Sequence, residues 1–447
     1  MERRYIVMSV ILSIVALMDS LGYTLLVNVL PCMVDVSDPL HYQGVEAMNG
    51  GAAYSLLQFS FVFGATVFPA FIGRLSDKQG RRSMLLICLA VVACAYFFQA
   101  ACQNVWSLAA ARFLSGVSGG LRPVAIAYLA DAVEVECDRC KLVTSLSFVS
   151  AISVGLGPAF GAHLAGLDRS YPFLFVGGAS IFCFFLVFMF LPETKEFGSD
   201  WPTFDSDTGT SHPTRFGAIY RLLVVLGFIT YFMAMTASIA FPLTLKESFQ
   251  LSPLSAGLCS VFDGPLIFFS NFLFMNKFTT LSKACKASVV ASLLFCLIWL
   301  VPDSADAGSF ATFLSLKYVT SLAGPIVFCA IPQTIISICP NRVCGRFAGL
   351  ITCCHGAGRL AATLIVGPIF EANPALVYHI VAISGAVSAG VFFALHHRLE
   401  NALGKVELRT PLMTPLGRTY RSSLSRSLSM MYPVTPSSSS VPIVVKE

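Results

Sequence analysis

Apolar residues in this chain come in long unbroken runs, separated by short polar stretches rich in glycine, proline and charge. A helix needs about 20 apolar residues to cross the hydrocarbon core of a bilayer. By that measure the runs near 5–30, 49–72, 83–103, 105–129, 142–166, 171–191, 217–243, 253–276, 284–301, 308–336, 346–370 and 374–397 each predict a membrane-spanning helix. Twelve spans leave both termini on one side. Residues 192–216 form the one long polar interruption before the tail, and their Pro, Ser, Thr and Asp content predicts a flexible linker. The expected fold is therefore all-α, with twelve transmembrane helices in two pseudo-symmetric six-helix bundles, residues 1–191 and 217–397. The tail, 398–447, reads as disordered and cytoplasmic; its TYRSSLSRSLSM stretch sets basic residues among serines, open to phosphorylation or contact with anionic lipid.

The two halves echo one another. Arg112-Phe113-Leu114-Ser115 in span 4 matches Lys317-Tyr318-Val319-Thr320 in span 10, and Gly157-Pro158 in span 5 matches Gly367-Pro368 in span 11. Parallel repeats about an axis along the membrane normal are a feature of transporters.

Charge fixes the expected orientation. Lys and Arg concentrate on the cytoplasmic side of membrane proteins. With the N-terminus inside, the inner segments carry Arg74, Lys78, Arg81, Arg82, Arg139, Lys141, Lys283 and Lys286, while the outer loops carry only Arg169 and Lys246 against Asp35, Asp38, Glu46, Asp168, Glu247 and Glu371. Both termini are thus expected in the cytoplasm. Composition agrees: 56% of residues are hydrophobic and 12% charged, about half the charged share of a soluble domain. The net charge of +5 belongs to inner loops and tail, and no nucleic-acid partner is read from it. The run after Arg3-Arg4 is too long for a signal peptide and is read as the first span. Most of the 15 cysteines lie within apolar runs, where they act as small hydrophobes. Cys137-x-x-Cys140 has a zinc-like spacing but no second pair to complete four ligands, so neither a metal nor a cofactor is expected.

A charge at bilayer depth costs at least a few kcal/mol and marks a functional site by default. Here the candidates are Asp19, Arg112, Arg122, Asp263, Lys317, His355 and Arg359. At about 1.5 Å per residue, Asp19, Arg112, Asp263, Lys317 and Arg359 fall roughly 10–17 Å from the outer ends of their helices. That gathers them into one slab near the midplane, where substrate and ion sites sit in such folds. Arg122 lies deeper, toward the inner side. Two readings remain open. Asp19–Arg112 and Asp263–Lys317 are ion pairs that fix helix packing, or Asp19 takes up and releases a proton as its pairing with Arg112 is broken and remade.

Gly73-Arg74-Leu75-Ser76-Asp77-Lys78-Gln79-Gly80-Arg81-Arg82 is expected as a tight surface loop, its glycines turning the chain. The pattern G-x-L-S-D-x-x-G-R-R resembles motif A of the major facilitator superfamily, between its second and third helices. Over about residues 5–397 the chain is similar to that family, and to its drug:proton antiporter branch, which includes tetracycline efflux proteins. Ala16-Leu17-Met18-Asp19-Ser20-Leu21-Gly22, followed by Val29-Leu30-Pro31, resembles the first helix of those antiporters, with Asn28 standing where they have proline. Leu108-x-x-x-Arg112-x-x-Ser115-Gly116 resembles motif B, whose Arg is implicated in proton transfer, with Ser115 in place of Gln. Ser153-x-x-x-Gly157-Pro158-x-x-Gly161-Ala162 resembles the antiporter motif C, with Ser153 and Ala162 where the family favours Gly. The resemblance implies helix packing by Gly157, Pro158 and Gly161. It also implies a cytoplasmic latch of Arg74, Asp77, Arg81 and Asp131, with Arg82 and Gly80 alongside, that holds the outward-open state and breaks on inward opening.

No Walker A, HExxH or GxSxG sequence in an α/β setting occurs, so an enzyme is not expected. Gly116-Val117-Ser118-Gly119-Gly120 reads as small-residue packing inside span 4. The expected function is alternating-access transport of a small organic solute by a monomer in the lipid bilayer, exchanging it for protons. A symporter or uniporter of an anionic metabolite is the alternative, since Arg122, Lys317 and Arg359 favour an anion unless Asp19 and Asp263 neutralise two of them. From another class comes a transporter-like sensor or scaffold signalling through its tail.

Overall fold

The structure, a computed structural model, describes residues 3–37, 41–47, 49–133, 136–193, 217–277, 281–301, 307–338 and 341–403. With no water in the bilayer core, each pass must satisfy its own backbone groups, and helices do so. Among the described residues the chain makes twelve helical passes. Span 1 is Arg3–Thr24 with a short helix Leu30–Met33 after it; span 2 is Gly50–Gln79; span 3 is Arg81–Ala101. Span 4 is split into Val105–Val117 and Leu121–Ala132; span 5 is Glu136–Leu167; span 6 is Tyr171–Phe190. Span 7 is Gly217–Glu247; span 8 is split into Pro253–Leu258 and Asp263–Lys277; span 9 is Leu281–Cys296 with a 3-10 turn to Leu300. Spans 10, 11 and 12 are Ala307–Ile338, Asn341–Ala372 and Pro374–Leu403.

The spans fall where the apolar runs predict them, with three internal differences. Spans 1, 4 and 8 break within their runs, at 25–29, 118–120 and 259–262. A continuous apolar run hides such breaks because the breaking residues are themselves small or apolar. The Ser118-Gly119-Gly120 stretch interrupts span 4 instead of only packing it, although Gly116 does press against the Phe61 carbonyl of span 2. The predicted surface loop 73–82 is also mostly helix. Span 2 continues through Gly73 to Gln79, and the reversal is made by Gly80 alone, whose φ of 100° is a region closed to most side chains. Gly73 has no neighbour its missing side chain would meet and makes no turn. Span 12 runs to Leu403, past the expected start of the tail; the rest of the tail, and all of the linker after Glu193, lie outside the described residues.

Packing follows from which faces are small. Phe182, Phe185, Phe188 and Met189 of span 6 point outward as lipid-facing side chains. Inside, span 5 lies on span 1, with Gly157 against Thr24 and Gly161 against the Leu25 backbone. Its symmetry counterpart, span 11, lies on span 7 through Gly358. Between the halves, span 5 meets span 8 where Gly155 and Gly264 bring their backbones together, and span 11 meets span 2 where Gly367 meets Gly51 and Ser55. The face that holds the 2–3 connection is called the basic face below.

Candidate functional site

Between the two halves lies a cavity of about 440 Å³, lined from spans 1, 5, 7, 8, 9, 10 and 11. That is the size of a site for a drug-sized molecule. Its walls are mainly apolar and aromatic, including Tyr23, Met235, Phe241, Phe295 and Phe328. Its polar groups are few: Asn28, Asp263, Lys317, Arg359 and some hydroxyls.

Asp263 opens the second half of span 8, directly after the break at 259–262. Lys317 of span 10 reaches that break and forms an ion pair with Asp263. Both side chains are buried. The ammonium also donates to Ser260 Oγ at 3.3 Å and to the Cys259 carbonyl at 3.4 Å, so its three hydrogens have three acceptors. The other Asp263 oxygen accepts from Ser321 at 2.8 Å, and Tyr318 donates to the Cys259 carbonyl at 2.9 Å. This network satisfies both charges internally.

The cation in span 4 stands differently. Arg112 is 0% exposed, and none of its three guanidinium nitrogens has a hydrogen-bond partner. It lies 5.0 Å from the Phe61 ring centre and interacts electrostatically with Tyr23, Tyr54 and Tyr96. The expected Asp19–Arg112 pair is not formed. Asp19, half-buried and outside the cavity lining, interacts with Arg122 instead. Arg122 begins the second half of span 4, so the break at 118–120 is what re-aims the chain to present it. Tyr96 interacts with both Arg112 and Asp19 and links the two. The internal echo survives in detail: Ser115 Oγ donates to the Arg112 carbonyl and Thr320 Oγ1 to the Lys317 carbonyl, at 2.8 and 2.7 Å.

His355 stacks on Tyr231 with centroids 4.1 Å apart, placing it behind the cavity wall that Tyr231 forms. Arg359, one turn on, lines the cavity itself. Asn28 lines it too, with its side-chain nitrogen unpartnered.

On the basic face, Arg81 pairs with Asp131 at 2.8 Å and donates to Ser76 Oγ at 3.1 Å. Arg74 is exposed, and the Asp77 side chain lies outside the described set. Glu193, not singled out in the sequence, accepts from the backbone amides of Arg82 and Ser83 at 3.2 Å each, capping the start of span 3. Arg82 donates to the Phe188 carbonyl at 2.6 Å.

The opposite face carries two further contacts between the halves that sequence reading missed. Lys246 of span 7 bonds the Pro31 carbonyl at 2.8 Å and Asp35 at 2.7 Å, both after span 1. Glu371 of span 11 accepts from the Gly51 amide of span 2. Partial burial works against ionising Asp35, but hydrogen bonds from Lys246 and Ser37 outweigh it and hold the carboxyl at about 2. The Arg81–Asp131 pair coexists with both of these contacts.

Residues 12–363 match the family model described as the Major Facilitator Superfamily. The chain is 30% identical over 198 residues to the class G tetracycline resistance protein of Vibrio anguillarum, covering 44% of this chain and 46% of that one. It is 26% identical over 346 residues to the multidrug resistance protein MdtG of Proteus mirabilis, covering 68% and 84%. The chain spans about half the length of the tetracycline resistance relatives it matches. Among solved structures, a D-xylose–proton symporter overlays with a TM-score of 0.69 at 14% identity, covering 87% of this chain and 97% of that one. The human organic anion transporter MFSD10 overlays with a TM-score of 0.63 at 18% identity, covering 89% and 100%. At such identities the overlay speaks for the fold. Twelve helical passes around a central cavity, and a family match over most of the length, make this chain a member of the major facilitator superfamily, a family of non-enzymatic membrane transporters.

Proposed function

We propose that this protein moves a small organic solute across its membrane by alternating access, in exchange for protons, as a monomer with both termini in the cytoplasm. The moving bodies are the halves 1–191 and 217–397. The observation that carries the reading is the cavity between the halves, clasped on one face by Lys246 and Glu371, with a half-buried carboxylate and two arginines beside it. In this orientation the clasped face is the outer one.

The chemistry of coupling follows from Asp19. A carboxylate held against a guanidinium stays ionised; moved away from it in a low-dielectric interior, it takes a proton. In this state Asp19 feels the charge of Arg122, Arg112 is buried with no hydrogen-bond partner, and Tyr96 interacts with both Asp19 and Arg112. A rearrangement of the bundles that slides Asp19 between these cations passes it through an unpaired position. There it binds a proton, and it releases it on re-pairing. The hydrophobic wall around Arg112 makes the unpaired state of either residue costly and so couples the two.

The test is flux in proteoliposomes driven by a pH gradient. Asp19→Asn is expected to abolish gradient-driven flux while solute exchange without a gradient and elution as a folded species persist. Gradient-driven flux at the wild-type rate in this variant refutes the coupling.

A further inference from the structure

Resting on the reading of the cavity as a solute site, we infer that the solute is an amphipathic organic monoanion, an aryl-alkyl carboxylate, whose carboxylate binds Arg359. Three charged side chains line the cavity: Asp263, Lys317 and Arg359. The first two cancel. Lys317 has all three hydrogens engaged, and both Asp263 oxygens are taken, by Lys317 and by Ser321. Asp19 does not line the cavity. The carboxylate that lines the cavity is therefore already neutralised by Lys317 and offers a cationic solute no uncompensated charge.

Arg359 is in the opposite position. Among the described residues no hydrogen bond or ion pair holds its guanidinium, and its charge acts on Tyr231 and His355. Arg122 also acts on Tyr231, from the other half, and adds to the positive field there. A guanidinium offers five donors in a planar fork that fits a carboxylate. An uncompensated charge near the bilayer midplane is costly, and a bound monoanion removes that cost. A dianion would leave one charge over, and a cation would add a second beside Arg359. The rest of the solute meets rings: Tyr231 lies 4.8 Å from Phe328 by ring centres, with Phe241 and Phe295 farther along the wall. Such a wall takes an aromatic body by stacking and apolar contact.

The experiment compares three probes of the same shape on the purified full chain in detergent: 4-phenylbutyrate, its primary amide and 4-phenylbutylamine. Binding is measured by calorimetry, with no gradient present. The acid is expected to bind better than the amide, and the amine least. Arg359→Gln is expected to weaken the acid by about tenfold or more and the amide by much less, and Arg359→Lys to restore part of the loss. The amide serves as the fold control, since it binds only a properly formed cavity. Amine binding tighter than acid binding, acid affinity unmoved in Arg359→Gln, or no binding of any probe overturns the assignment. Failure of the transport reading looks different: the acid binds through Arg359, but no flux of it is seen in proteoliposomes.

Discussion

Asp263 and Lys317 each carry a full charge into the membrane interior, and neither is tolerable alone. A buried pair adds little net stability over apolar residues of the same shape, but removing one partner leaves an uncompensated charge and costs about 3–5 kcal/mol. Lys317→Met is therefore expected to lower the thermal midpoint by several degrees, and Asp263→Asn combined with it to recover most of the loss. Equal losses for the single and the double variant, read by thermal unfolding in the same detergent, contradict this account. The pair itself was legible in the sequence, because two opposite charges at one depth in apolar runs have few other solutions. The Asp19–Arg112 pair was equally legible and is not what the structure holds. Depth along a helix says nothing about azimuth, and the cation that acts on Asp19 is Arg122, from the half of span 4 beyond the break at 118–120. Ser260, Ser321 and Tyr318 were invisible as site residues, since hydroxyls in apolar helices usually bond their own backbone.

At the scale of elements, the breaks in spans 1, 4 and 8 sit beside the chemistry: Asn28 lies within the first, Arg122 just after the second, Asp263 just after the third. Hydropathy shows a span's existence, not its continuity, so these were missed while every span was found. The span 5–span 8 contact holds the third break in place. Gly155 and Gly264 meet there with no room between backbones, and Phe148 and Phe268 pack with ring centres 4.6 Å apart and planes tilted by 42°. A side chain at Gly155 would meet the Val261 carbonyl, inside the break itself. Gly155→Val is expected to wedge the two halves apart at this seam, at a cost of about 1–3 kcal/mol for overpacking. Because Val261 sits two residues before Asp263, flux and acid binding should fall together, whereas Gly178→Val, at a position with open space, should change neither. Flux in Gly155→Val equal to wild type would show that the seam is not under load.

Across the whole molecule, closure of the face opposite the basic one depends on small forces. Lys246 and Asp35 have side chains 16% and 37% exposed, so their attraction is screened by water. Such a pair is worth at most about 1 kcal/mol, or about fivefold in an open–closed equilibrium. That is too weak to lock the face and enough to bias it, as a transporter that must reopen requires. Lys246→Asp is expected to favour opening, seen as faster hydrogen exchange in residues 29–37, and Asp35→Lys with Lys246→Asp to restore protection. No change in exchange in the single variant would remove the clasp from the mechanism. The pH dependence has a definite sign. With its carboxyl lowered from 3.8 to about 2, Asp35 favours closure at full strength above its ordinary value, and the contribution fades only as pH falls from there through about 2. The Lys246–Asp35 pair is therefore constant between about pH 5 and 8. Proton dependence of flux in that range does not come from this pair, and Asp35→Asn should leave the shape of the pH–flux curve unchanged while Asp19→Asn flattens it.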